Sequence, residues 1–224
     1  MFNNANDIDA SHSTFTEIHR DQYNSVGGVV YGNQRYHTIV HGNQIFQHSS
    51  ETFEPLRKAS ISSAAFDSAE RYPAPTCLPG TRVEILSSIS SWIENEGSQP
   101  ICWLNGLAGS GKSAIAQRVA EIYAEKNQLA ASFFFSRREM QRSTTQHFFP
   151  TISSQFLKFF PSMKESIAAA LDEDYTVPTK LLREQMQKLV LGPLCAMTER
   201  PTSPVLIIID SLDECDNERL VVEL

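Results

Sequence analysis

Eight residues, Gly106 to Ser113, read Gly-Leu-Ala-Gly-Ser-Gly-Lys-Ser, with two glycines five positions apart and a lysine and a hydroxyl residue directly after the second. That order suits one chemistry, the cradling of a polyphosphate. Gly106 and Gly111 let the backbone turn tightly, and Leu107, Ala108, Gly109 and Ser110 line the turn between them with N–H groups. Lys112 is the cation for the β and γ phosphates, and Ser113 offers its hydroxyl to Mg²⁺. The helix expected to begin near Lys112 adds the positive end of its dipole. The ligand set implied is a nucleoside triphosphate, ATP or GTP, with Mg²⁺. The competing reading is a Gly/Ser loop that merely caps a helix.

A second group of reactive residues lies downstream. The apolar run Val205 to Ile209 delivers Asp210, and Asp213 and Glu214 follow within a turn. A carboxylate at the carboxyl end of a buried strand stands where open α/β sheets bind ligands, so Asp210 can share a Mg²⁺ with Ser113. Either Asp213 or Glu214 can orient or polarise an attacking water. Alone, the acidic run would also suit the start of a helix, where carboxylates are favoured. Arg137 and Arg138 follow another apolar run, Phe133 to Phe135, and read either as cations near the γ phosphate or as surface groups.

These residues need a scaffold to bring them together. Ile101 to Leu104 reads as a buried strand leading into the loop, and Ile115, Val119, Ile122 and Tyr123 mark one face of the helix leading out. The segment 131–138 reads as a second strand, 205–209 as a third, and 146–160, 162–171 and 179–197 as helices, the last kinked or ended by Pro193. Before the loop, Thr81 and Glu84 have capping-box spacing, Ile85, Leu86, Ile89, Trp92 and Ile93 form a helical stripe, and Gly97 is placed to end it. Alternating strands and helices predict an α/β fold with a parallel sheet sandwiched between helices.

Composition narrows the function classes. A net charge of -7 disfavours broad electrostatic binding to nucleic acid. Cys77, Cys102, Cys195 and Cys215 are widely spaced, without zinc-ligand spacing, and read as reduced thiols. No segment reads as a secretory signal or a membrane span, so a cytoplasmic protein is expected.

Residues 1–50 differ from the rest. They are polar and hold five of the six histidines, without acidic or cysteine partners at metal-ligand spacing. Ile18 to Gln22, Val30 to Gln34 and Val40 to Gln44 repeat one pattern, a β-branched residue followed by His or Tyr, Gly-Asn or Arg-Asp, and Gln. Short strands turning every ten to twelve residues are expected, against a poorly ordered leader; the composition also suits cross-β assembly. Residues 51–80, closing on Pro73, Pro75 and Pro79, read as a linker, and 81–224 as the phosphate-binding domain.

With GLAGSGKS at 106–113, ASFFFSRR at 131–138, FFPTISSQF at 148–156 and VLIIIDSLDEC at 205–215, the sequence resembles a NACHT-domain STAND NTPase. The type is that of fungal NOD-like receptors with a nephrocystin-3-like region. The segment CLPGTRVEIL at 77–86 resembles the family's lead-in, and the resemblance places the residues around Arg82 on the adenine side of the site. It implies a P-loop NTPase-type fold and a slow switch: a diphosphate exchanged for ATP when a C-terminal repeat sensor is engaged, followed by self-association that activates an N-terminal effector. In that scheme residues 1–50 occupy the effector position.

The chain ends 14 residues after Asp210. The family places a further strand between the loop strand and the Asp210 strand, then helical, winged-helix and repeat regions. The chain is therefore expected to be a fragment with an α/β sheet incomplete at its C-terminus, able to contact nucleotide but not to hydrolyse it. Two other readings stand beside the switch: a kinase or transferase on the same loop, which the acidic run argues against, and a scaffold that only binds nucleotide.

Overall fold

A computed structural model describes residues 7–10, 13–16, 29–31, 34–41, 44–49, 51–95, 99–199 and 201–215, those before residue 50 by backbone and register. The chain divides into two units, Met1–Glu54 and Pro55–Leu224.

In the first unit β1 (Asp7–Ala10) pairs antiparallel with β2 (Ser13–Thr16). Three further strands, β3 (Val29–Tyr31), β4 (Gln34–His41) and β5 (Gln44–Ser49), form an antiparallel meander. Its end pairs are Tyr31 with Gln34 and His41 with Gln44, so each connection is two residues long, and both are Gly-Asn. Two-residue connections are the commonest between paired antiparallel strands. The second and third copies of the repeat are therefore two successive hairpin ends. The first copy, Ile18 to Gln22, lies outside the described residues.

The helix α1 (Glu54–Ala59) starts at the boundary and lies in the second unit from Pro55 on, followed there by α2 (Val83–Glu94) and α3 (Lys112–Glu125). β6 (Leu129–Phe134) comes next, then α4 (Phe148–Phe159), α5 (Lys164–Glu173), α6 (Leu182–Met186) and α7 (Gly192–Ala196), and lastly β7 (Leu206–Asp210). β6 and β7 pair in parallel, with Ser132 opposite Ile208 and Phe134 opposite Asp210. Alternation along the strands divides the sheet into two faces. On one, Phe134 and Ile208 pack with Ile115, Val119 and Tyr123 of α3 and Ile93 of α2. On the other, Phe133 and Phe135 pack against Phe148 at the start of α4. The fold is the incomplete α/β arrangement expected, a parallel two-stranded sheet flanked by helices.

Three local expectations are corrected. Ile101 to Leu104 forms no strand: Ile101 and Trp103 are 75% and 73% exposed, and only Leu104 leans on the core. A strand exists only where a neighbour accepts its ladder bonds, and among the described residues β7 pairs with β6 alone. The capping box does not form either. Arg82, with φ 59°, is the N-cap of α2 and makes no side-chain cap bond, while the Thr81 hydroxyl donates to the Leu78 carbonyl at 2.7 Å. α2 ends at Glu94, and Gly97 lies outside the described residues. The expected 179–197 helix is two short α-helices joined by a π-helical turn, Gln187–Leu191, in which the Gly192 N–H reaches back to Gln187. The shift to five-residue spacing accommodates Pro193, which has no N–H to give the regular ladder.

The segment expected as a linker, 51–80, supplies buried Leu56, Ile61, Ala64 and Arg71 to the second unit. Its backbone N–H groups are bonded to that unit: Ile61 to the Thr151 hydroxyl and Phe66 to the Ser132 hydroxyl, each at 3.0 Å. At Ser132 the outer edge of β6 is met by a side chain. The Gln155 carboxamide accepts from the Ser132 N–H at 3.0 Å and donates to the Ser132 carbonyl at 2.9 Å, replacing a neighbouring strand at a fully buried position. Gln155→Ala leaves both groups without that partner, and at about 1–3 kcal/mol per orphaned group the expected loss is about 2–6 kcal/mol. Urea unfolding measures it; an unchanged midpoint would show that Gln155 does not satisfy the edge.

Candidate functional site

Gly106 to Ser113 wraps the N-terminus of α3. The Ser110 N–H donates to the Leu107 carbonyl at 3.1 Å, making the turn inside the loop. Gly109 and Gly111 have φ of 75° and 90°, left-handed conformations that side chains resist. Gly111 is the N-cap of α3, and the helix ladder starts at once, the Ile115 N–H donating to its carbonyl at 3.0 Å. The Lys112 ammonium donates to the carbonyls of Gly106 at 2.8 Å and Leu107 at 3.2 Å, so the charge is held against the loop. Ser113 is the second residue of α3.

Arg82 also reaches the loop. Its guanidinium donates to the Ser110 carbonyl at 2.8 Å, and a Cβ on Gly111 would stand 3.4 Å from Nη2. The left-handed backbone at Arg82 brings the start of α2 to the loop, a contact that spacing along the chain does not reveal.

Asp210 closes β7. The register sets it beside Phe134, and alternation puts it on the face of Leu206 and Ile208, the one packed against α3. Its Oδ2 accepts from the Ser211 hydroxyl at 3.0 Å. Ser211 has φ 56°, and the chain then turns through Leu212–Glu214. Asp213 is exposed and Glu214 half-buried. Glu214 Oε2 accepts from the Arg137 backbone N–H at 3.0 Å, and the Arg137 guanidinium donates to the Asp213 carbonyl. Arg137 is thus bonded to the acidic turn. Among the described residues no group of three or more His, Cys, Asp or Glu could hold a metal. A hard cation here would rely on Asp210, the Ser113 hydroxyl and phosphate oxygens, a donor set that fits Mg²⁺.

One buried network escaped sequence reading. Arg71, 9% exposed, donates to Gln117 Oε1 on α3 at 2.8 Å and to the carbonyls of Ala65 and Phe66, and lies 3.6 Å above the Phe134 ring. Its pKa is lowered to about 10, first by burial and then by Arg142, while Asp210 and Glu139 act in the opposite sense. It joins the segment before α2 to the helix that starts at the loop. Nothing in its neighbours, Ala-Glu-Arg-Tyr-Pro, marks it.

The fold and these positions define a class: an incomplete α/β unit with a glycine-rich loop at a helix N-terminus and an aspartate at the end of a parallel strand. The family model described as Nephrocystin 3, N-terminal, matches residues 80–224, and the chain belongs to that family. Comparison with curated proteins and with solved structures gave no match. No described helix is long and apolar enough to cross a membrane.

Proposed function

We propose that this chain binds a nucleoside triphosphate, ATP or GTP, as the nucleotide module of a NACHT-type STAND signalling NTPase. One observation carries the reading: the Lys112 ammonium lies on the carbonyls of Gly106 and Leu107 at the N-terminus of α3, and Asp210 ends β7 on the face that α3 covers. A glycine-rich loop, the positive end of a helix and an ammonium stand together there, features that a polyphosphate site uses. Gly106 to Ser113 take the phosphates, Arg82 holds the loop from the side expected for the base, and Ser113 and Asp210 hold Mg²⁺. When bound, Mg²⁺ would supply neutralisation of phosphate charge. In hydrolysis Glu214, half-buried and fixed by the Arg137 N–H, orients the attacking water better than exposed Asp213. Self-association of the full-length protein belongs to the same proposal, and an increase in mass on adding ATP, read by analytical ultracentrifugation, tests it.

A binding scaffold without hydrolysis is favoured by one feature. Ile207 and Ile209 of β7 are 44% and 46% exposed, so the sheet beside Asp210 lacks cover on that face among the described residues.

A fluorescent ATP analogue titrated with and without Mg²⁺ tests the reading. Asp210→Asn is expected to leave metal-free affinity within about twofold and to weaken Mg²⁺-dependent affinity about tenfold, the size of one lost charge-assisted contact. Equal Mg²⁺ dependence in the two proteins would remove Asp210 from the site.

A further inference from the structure

Beyond β6 the chain runs into Arg137, and beyond β7 into the turn Ser211 to Glu214. Among the described residues, three bonds join these ends: the Phe135 N–H to the Asp210 carbonyl at 3.0 Å, the Arg137 N–H to Glu214 Oε2 at 3.0 Å, and the Arg137 guanidinium to the Asp213 carbonyl. From the turn the path continues to the strand end. The Glu214 N–H donates to the Ser211 carbonyl at 2.8 Å, and the Ser211 hydroxyl donates to Asp210 Oδ2 at 3.0 Å. Ser211 holds a left-handed backbone that a serine adopts only when its surroundings impose it. The turn is short, partly exposed and tied at one end to the Asp210 carboxylate, so whatever fixes the turn also fixes the direction of that carboxylate.

We infer that Arg137 is a positioning residue of the metal-nucleotide site, holding the acidic turn so that Asp210 and Glu214 keep their orientation. The inference rests on the proposed nucleotide-binding function. Arg137 itself is exposed at the surface, and its guanidinium is spent on a backbone carbonyl. It therefore acts through the turn rather than as a cation placed on the γ phosphate. The effect belongs to the metal-dependent part of binding, because the loop, Lys112 and Arg82 are held by bonds that do not involve the turn.

The test compares the whole chain with Arg137→Ala and Arg137→Lys by titrating a fluorescent ATP analogue with and without Mg²⁺, alongside thermal melts. For Arg137→Ala the metal-free Kd should stay within about twofold, while the tightening produced by Mg²⁺ falls about fivefold, as expected for one lost hydrogen bond. Arg137→Lys, which keeps a cationic donor, should recover at least half of that tightening. If the unaltered chain binds no analogue, the nucleotide reading fails and this inference with it. If it binds but Mg²⁺ gives no tightening, or if Arg137→Ala tightens as the unaltered chain does, the inference alone is overturned. Equal loss of metal-free and metal-dependent affinity, or an unfolded Arg137→Ala, would make Arg137 a determinant of the fold and also overturn it.

Discussion

Lys112→Ala is expected to weaken nucleotide binding at least about 100-fold. An ammonium bridging two phosphates makes charge-assisted hydrogen bonds worth about 1.5–3 kcal/mol each, and each 1.4 kcal/mol is a factor of ten. The loop's N–H groups and the helix dipole remain in the variant, but they distribute partial charge and cannot replace a full cation against a triphosphate. Stability should change little. The bonds from Lys112 to Gly106 and Leu107 are exposed, and water can serve those carbonyls when the ammonium is gone. Isothermal titration with ATP and with GTP measures the loss, and a thermal melt on the same samples confirms the fold. A variant that binds as tightly as the unaltered chain would sink the assignment of Gly106 to Ser113 as a phosphate site.

The second large effect is on folding. The matched family region begins at residue 80, yet Leu56, Ile61, Ala64 and Arg71 are buried before it. Replacing one buried Leu or Ile by Ala costs about 2–5 kcal/mol, and a domain's whole stability is about 5–15 kcal/mol. Deleting residues 55–79 removes two such side chains. It also leaves Gln117 without Arg71, and the Ser132 and Thr151 hydroxyls without the N–H groups of Phe66 and Ile61. Residues 80–224 alone are therefore expected to show no cooperative unfolding transition, whereas 55–224 shows one. Circular dichroism against temperature decides between them. Melting points within a few degrees of each other would mean that residues 55–79 are a linker after all.

That second case marks a boundary of sequence reading. Pro73, Pro75 and Pro79 announce a break, and the Ser- and Ala-rich stretch before them has no long periodic stripe. The packing of 55–71 comes instead from scattered residues that meet Ser132, Thr151 and Gln117, between 46 and 90 positions away. No local pattern encodes such pairings. The Gln155 carboxamide that meets the β6 edge at Ser132 is equally hidden, since a glutamine on a helix reads as a solvated residue until its partner strand is known. Ile101 to Leu104 failed in the opposite direction. The residues have strand propensity, but a strand also needs a neighbour, and propensity carries no information about one.

What the sequence by itself determined is local, the features whose parts are contiguous. The glycine loop with Lys112 and Ser113, the helix that follows it, and the apolar run ending in Asp210 each lie in one short stretch, because backbone turns, dipoles and strand ends are local. The hairpin ends of the N-terminal meander are legible for the same reason: Gly-Asn between paired strands is a local signal. Only the tertiary structure decided which face of the sheet Asp210 occupies, that Arg82 touches the loop, and that Arg71 links the N-terminal cover to α3. It alone also showed that Arg137 turns to the acidic turn. Each of these depends on a contact across 28 or more residues of chain, set by packing and register, and a side chain's type does not reveal which distant carbonyl it will meet.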